Sequence, residues 1–166
     1  YIIAPSSVNN WSRVRLSLKL LNSAITVLSA TTCNSSPETW ISSTALIGDG
    51  TMVSSGAIIN AQCHIGDSCI INSGSIVEHE CQIGDFVHVA PGAVLCGNVK
   101  VGSGSFIGAG AVIKQGVKIG ENVTIGAGCT IRQNVPSNSL VIQEENNIKI
   151  VDKKPYEWDW KKEELI

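Results

Sequence analysis

Apolar and polar positions alternate with a period of six along most of this chain. From Ile41 to Pro136 the sequence divides into sixteen consecutive hexads without insertion, and every hexad opens on an aliphatic residue, from Ile41, Ile47 and Val53 through Val89, Leu95 and Val101 to Ile125 and Ile131. The fifth position is always small or β-branched, as at Ala57, Cys63, Ser75, Ala93, Val117 and Val123. Glycine occupies the second position seven times and the fourth eight times, which accounts for fifteen of the sixteen glycines. A period of six is not the 3.5 of a coiled coil. It predicts a parallel β-helix of short flat strands with a turn in every hexad. The aliphatic row fills the interior, the small residue permits a tight corner, and glycine or asparagine supplies backbone angles that other residues resist. Such a solenoid buries its core between neighbouring coils.

The flanks follow other patterns. Residues 1–40 read as a strand at Tyr1–Ala4, a helix capped by Asn10 over Trp11–Leu21 and a second strand at Ile25–Leu28. This strand–helix–strand piece reads as the remnant of an α/β domain, because so short a segment is too small to stand alone. Ser35–Glu38 reads as a linker, residues 41–136 as the β-helix, and residues 137–166 as a tail with strands expected over Leu140–Ile142 and Ile148–Val151. In that tail Trp158 and Trp160 stand amid charges and are expected to pack on a neighbouring subunit.

Composition narrows the function classes. A net charge of −2 over 166 residues gives no electrostatic footprint for nucleic acid or an anionic membrane. No apolar run approaches the roughly 20 residues that span a bilayer. The N-terminus has no basic region followed by an apolar core, so no signal peptide is read. Four of the six cysteines (Cys63, Cys69, Cys81, Cys129) fall on the inward fifth position, which reads as small core residues in a reducing cytoplasm rather than a disulfide framework. No Cys-x-x-Cys metal spacing, phosphate loop or Rossmann glycine motif is present, so no metal, ATP or NAD is expected.

The hexads resemble the hexapeptide-repeat family. That resemblance implies a left-handed triangular β-helix with three hexads, or 18 residues, per coil, and residues 18 apart then stack about 4.8 Å from one another. On this register His64, His79 and His88 occupy three different columns and cannot converge on zinc, and His64 reads as a surface residue. The third coil, residues 77–94, departs from the pattern. It carries Glu80 and Phe86 where glycine dominates elsewhere, and His79 points outward between Glu78 and Glu80. The one glycine outside the two favoured positions is Gly97, one full coil beyond His79. Histidine is a suitable general base near neutral pH, and an adjacent carboxylate can fix its tautomer and stabilise the imidazolium. With no nucleophile elbow and no stacked cysteine–histidine pair, direct attack of an acceptor on a thioester is favoured. The Gly97 N–H is a candidate oxyanion donor.

The run I-N-S-G-S-I-V-E-H-E-C-Q-I-G-D-F-V-H-V-A-P-G-A-V-L-C-G-N-V-K-V-G at 71–102, with F-I-G-A-G-A at 106–111 and I-G-A-G at 125–128, resembles the sialic acid O-acetyltransferase and bacillosamine-type sugar N-acetyltransferase group. The resemblance implies an acetyl-CoA-dependent acetyltransferase acting on a sugar amine or hydroxyl. In it His79 is the general base, Glu80 raises its basicity, Asn72 lies beside them and Gly97 is the oxyanion donor. His88 contacts acetyl-CoA, and the backbone of Ala109 and Ala127 binds its pantetheine and nucleotide portions. It further implies a homotrimer with active sites between subunits. The N-terminal piece falls short of the acceptor-binding domain of that group. Two other readings remain: a serine or other small-metabolite acetyltransferase on the same fold, and a non-catalytic β-helix serving as an interaction subunit. An ice-binding surface would require a threonine ladder, and the threonines of the repeat occupy scattered positions.

Overall fold

The computed structural model describes residues 34–36, 38–144 and 147–153. The strand–helix–strand expected over residues 1–30, and Trp158 and Trp160, lie outside the described residues.

Each hexad places its sixth and first residues in a two-residue strand and turns on the next four. The first residue points inward and the sixth outward, as the period-two geometry of a strand requires. The strands stack into three parallel sheets around one left-handed triangular prism. Sheet A runs from Asn34–Ser35 through Met52–Val53, Ile70–Ile71, His88–Val89 and Phe106–Ile107 to Thr124–Ile125. Sheet B runs from Trp40–Ile41 to Thr130–Ile131, and sheet C from Leu46–Ile47 to Lys118–Ile119. From Asn34 to Ile131 the register is one coil of three hexads, with Ile70 opposite His88 and Ile76 opposite Val94. Backbone hydrogen bonds link each coil to the next, as in Ile76 N–H to Ala93 C=O (2.8 Å) and Glu78 N–H to Leu95 C=O (2.9 Å).

The interior is the aliphatic row plus the small fifth-position row. Ile59, Ile71, Leu95, Ile107 and Ile125 are fully buried, and each such side chain contributes about 1.5–3 kcal/mol relative to exposure. Cys63, Cys69, Cys81 and Cys129 lie in this core as free thiols, as the register predicts.

The C–A corner explains part of the glycine pattern. Gly48, Gly66, Gly84, Gly102 and Gly120 follow the five strands of sheet C. A Cβ on Gly66 would collide with Asp85 Oδ1, and one on Gly84 would sit 2.5 Å from Ser103 Oγ. The bare backbone admits the side chain of the next coil, which caps an otherwise unpaired N–H: Asp67 N–H donates to Asp85 Oδ1 (2.9 Å) and Asp85 N–H to Ser103 Oγ (3.1 Å). The Ile-Gly-Asp motif is therefore a structural staple.

Two boundaries differ from the sequence expectation. Within the segment read as a linker, Ser35 and Ser36 already belong to the solenoid. Asn34–Ser35 pairs in register with Met52–Val53, and Thr39 N–H and Oγ1–H both close on Ser36 C=O (3.2 and 2.8 Å). The hexad was hidden because Ser35 stands where an aliphatic residue is expected; an end coil packs on one neighbour only and has less interior to fill. At the other end the last coil is shorter than the rest, with Ile119 bridging Val135 and Thr124 opposite Leu140. The tail strands form as expected but longer, Ser139–Glu144 joining sheet A and Asn147–Asp152 folding back antiparallel on it. Val141 is buried, and Ile148 and Ile150 pack against the core, so this hairpin closes the end of the prism.

Candidate active site

Glu78–Cys81 forms the B–C corner of the third coil. Glu80 holds a left-handed backbone (φ 61°), where an L-residue is strained and glycine is the usual solution. That conformation turns its carboxylate back along the corner, and Oε2 accepts a hydrogen bond from His79 Nδ1–H at 3.0 Å. The pair is half exposed, with side chains 50% and 56% accessible. With Nδ1 carrying the proton, Nε2 is left as the free base.

The imidazole lies over Gly97 in the next coil. A Cβ there would fall 2.5 Å from both Cε1 and Nε2 of His79, and its three nearest atoms are all ring atoms of that histidine. Gly97 is not in the left-handed region. The absent side chain therefore serves the approach of the ring and not the backbone angle. Among the described residues the Gly97 N–H donates to no acceptor, while its carbonyl accepts from Gly116 N–H at 3.0 Å.

A second group gathers at sheet A and the A–B corner. Asn72 Oδ1 accepts the Ser73 N–H (2.8 Å), which fixes the orientation of the amide. Asn72 Nδ2–H then donates to His88 Nε2 (3.1 Å), so the neutral His88 ring carries its proton on Nδ1. Burial holds the His88 pKa below the ordinary histidine value. Phe106, directly below in sheet A, meets the His88 ring edge-on at a centroid distance of 5.1 Å.

Ala109 and Ala127 stack at the A–B corner, both exposed, with Gly128 N–H bonded to Ala109 C=O (2.8 Å). Neither alanine N–H has an acceptor among the described residues. At the C–A corner the equivalent N–H groups of Asp49, Asp67 and Asp85 are capped by side chains. The backbone donors of the two corners expected to meet a cofactor are thus open.

The structure brings His79, Glu80 and Gly97 together, and separately Asn72 and His88. It does not join the two groups. Asn72 stands at the A–B corner, across sheet B from His79, and its amide is bonded to His88 instead of lying beside His79 and Glu80. The register arithmetic misses the Asn72–His88 bond because the two are not a whole coil apart and meet diagonally. Two neighbours stand out as well. Phe86 is 68% exposed at φ 58°. The buried thiols of Cys63 and Cys81, beneath the same corner, donate to the carbonyls of Glu78 (2.9 Å) and Cys96 (3.2 Å), and their interaction with each other pushes the Cys63 pKa down and that of Cys81 up. No group of three metal-ligating side chains occurs among the described residues, and no helix among them is long and apolar enough to cross a membrane.

Residues 62–97, 80–115 and 98–133 each match the family described as bacterial transferase hexapeptide (six repeats). Among solved structures, the chain is similar to the acetyltransferase domain of PglB from Neisseria gonorrhoeae, at 35% identity and TM-score 0.70 over 73% of this chain and 58% of that one; one structure of that domain contains acetyl coenzyme A. It is similar to PerB from Caulobacter crescentus, determined with CoA and GDP-perosamine, at 37% identity and TM-score 0.68 over 70% of this chain and 56% of that one. It is similar to WeeI from Acinetobacter baumannii, at 31% identity and TM-score 0.68 over 72% of this chain and 57% of that one. The chain thus spans less than two thirds of the length of these relatives. A search of curated protein sequences finds no match.

Proposed function

By its repeat, residues 62–133, the chain belongs to the bacterial transferase hexapeptide family, and on that premise we infer that it is an acetyl-CoA-dependent transferase that acetylates an amine or hydroxyl of a sugar. The single observation that carries this reading is the His79 ring, held by Glu80 through Nδ1 and seated against the open backbone of Gly97. The similar proteins include one determined with CoA and GDP-perosamine, which supports a nucleotide-linked amino sugar as the acceptor class.

In the proposed reaction His79 Nε2 takes a proton from the acceptor as its nitrogen or oxygen attacks the thioester carbonyl. Negative charge develops on the carbonyl oxygen, and the Gly97 N–H donates to it, a contribution typically worth about 3 kcal/mol. Collapse breaks the C–S bond, and the thiolate of CoA leaves with the proton held on the imidazolium. Glu80 stabilises that imidazolium and keeps Nε2 the basic nitrogen. His88 and the free N–H groups of Ala109 and Ala127 would hold acetyl-CoA.

The assembly proposed is a homotrimer. In five of the six strands of sheet B the outward row is apolar, Trp40, Ile58, Ile76, Val94 and Val112, before it ends on Thr130, with Trp40 66% and Val112 36% exposed. An uninterrupted apolar row of this kind marks an interface. The two half-sites flank it, His79 at one edge and Asn72 at the other. Subunits packed through this face in a closed ring would set the His79 corner of one against the Asn72 and His88 side of the next. Buried free thiols fit a cytoplasmic setting.

The test is release of free CoA thiol from acetyl-CoA with a panel of nucleotide-linked amino sugars and sialic acid, for the parent and His79→Ala. Loss of about 10² or more in turnover on substitution is the result expected for a missing general base. Absence of both turnover and acetyl-CoA binding in the parent would sink the transferase reading and favour an interaction subunit.

A further inference from the structure

Sheet C presents a different outward face from its two neighbours. Its row of sixth-position side chains reads Leu46, His64, Gln82, Lys100 and Lys118, each opposite the next in register. From the third coil downward the row is polar and then cationic, and His64, Gln82, Lys100 and Lys118 are all exposed. Lys100 and Lys118 are direct neighbours on adjacent strands, whose backbones lie about 4.8 Å apart. Like charges placed directly opposite on one sheet face repel. Among the described residues no ion pair offsets this: the salt bridges are His79–Glu80 and Lys149–Glu144, and neither Lys100 nor Lys118 takes part. On the corner that follows sheet C, Asp67 and Asp85 are engaged by the backbone N–H groups of the preceding coil.

The surroundings give this row a shape. A shallow depression of about 620 Å³ runs along sheet C, lined by His64, Gln82, Lys100 and Lys118, with the bare backbone of Gly84 and Gly102 beside them. It begins where the catalytic corner ends. Gln82 follows His79 by three residues in the same coil, and Lys100 follows Gly97 by three in the next. A ligand whose reacting carbon lies beside His79 and Gly97 therefore has an open path along sheet C toward two ammonium groups that have no ionic partner among the described residues.

We propose that Lys100 and Lys118 form a phosphate-binding strip that anchors the diphosphate of a substrate reacting at His79. The proposal rests on the transferase reading above and extends it to the residues that hold the charged end of the ligand. Two in-register lysines separated by one strand spacing match two linked phosphates, and each ammonium gains an anionic partner in place of a like-charged neighbour. Two substrates carry that group: CoA itself and a nucleoside diphosphate-linked sugar. The strip recognises the chemistry they share.

The test is calorimetric titration of the full chain and of a Lys100→Gln/Lys118→Gln variant with four probes: CoA, pantetheine, uridine diphosphate and uridine. The double variant is expected to lose about tenfold or more in affinity for a phosphate-bearing probe and to bind its phosphate-free counterpart as the parent does. The parent's affinity for that probe should also fall with added salt, and the variant's should fall less. Loss confined to CoA assigns the strip to the acetyl donor, and loss confined to uridine diphosphate assigns it to the acceptor. Equal affinity of parent and variant for every probe the parent binds overturns the strip and leaves the transferase reading standing. A parent that binds none of the four sinks both. The melting temperature separates a structural role, because relief of lysine–lysine repulsion leaves it unchanged or raised. A variant that melts lower assigns the lysines to the fold and overturns the proposal.

Discussion

At the scale of single residues, the closest contact in the candidate site is between a side chain and the space left by an absent one. Gly97 has an ordinary backbone angle, so alanine fits there by conformation. What it would strike is the ring of His79, at 2.5 Å. Gly97→Ala should therefore fold and melt nearly as the parent while displacing the base. A misplacement of about 1 Å at a reacting group costs roughly 10²-fold, so kcat/KM should drop by that order with circular dichroism unchanged; full activity in a folded variant would remove the ring–backbone approach from the mechanism. His88 gives a second expectation, in pH. Burial lowers its folded pKa below the unfolded value, so its share of stability is present above the ordinary histidine range and is lost as pH falls toward the folded pKa. The Asn72 amide donates to the neutral ring, so Asn72→Ala should move the His88 titration upward, read from its imidazole NMR signals. A titration that stays in place or moves down would mean that the bond does not favour the neutral form. The His79–Gly97 contact was legible in the sequence because both sit on one column in adjacent coils. The Asn72–His88 bond was not, because a diagonal contact between different columns depends on side-chain reach, which the repeat does not encode.

At the scale of elements, the hexad pattern determines strands, register and core, because one aliphatic residue in six is required wherever a coil has neighbours on both sides. It fails at the two ends for the same reason. The coil at Ser35 is packed on one side only and tolerates a serine at the core position. The last coil is cut short and passes to a hairpin of six-residue strands, whose alternating apolar residues close the prism. The two favoured glycine positions also divide by physical cause. At the fourth position glycine answers a left-handed angle, as at Gly104 and Gly116 (φ 69° and 74°). At the second position of the C–A corner it answers a close approach: a Cβ on Gly102 would meet the backbone of Gly120 and Glu121 at 2.6 Å. Gly102→Ala should therefore force adjacent coils apart and cost about 1–3 kcal/mol, the usual penalty of overpacking, seen as a lower denaturation midpoint. A midpoint equal to that of the parent would show that the stacked corners yield freely.

At the scale of the whole molecule, the decisive property is that one chain carries the two residue groups of the proposed site on opposite edges of an apolar face. In the proposed function His79, Glu80 and Gly97 supply the base and the oxyanion donor, and Asn72, His88, Ala109 and Ala127 supply the polar contacts and open backbone for the cofactor. If sheet B is the face by which subunits close a three-membered ring, each active site takes one half from each of two chains. This makes a quantitative prediction. His79→Ala should be inactive in one half and His88→Ala weakened in the other, so neither homogeneous assembly has an intact site. Coexpressed in equal amounts and assembled at random, the two variants should regain about one quarter of parental activity, because each site then draws an intact half from both contributors with a probability of one half each. Mixed assemblies separated by tags would check the composition directly. Recovery no greater than the average of the two pure variants would mean that each chain completes its own site, and the apolar row of sheet B would then need a different occupant.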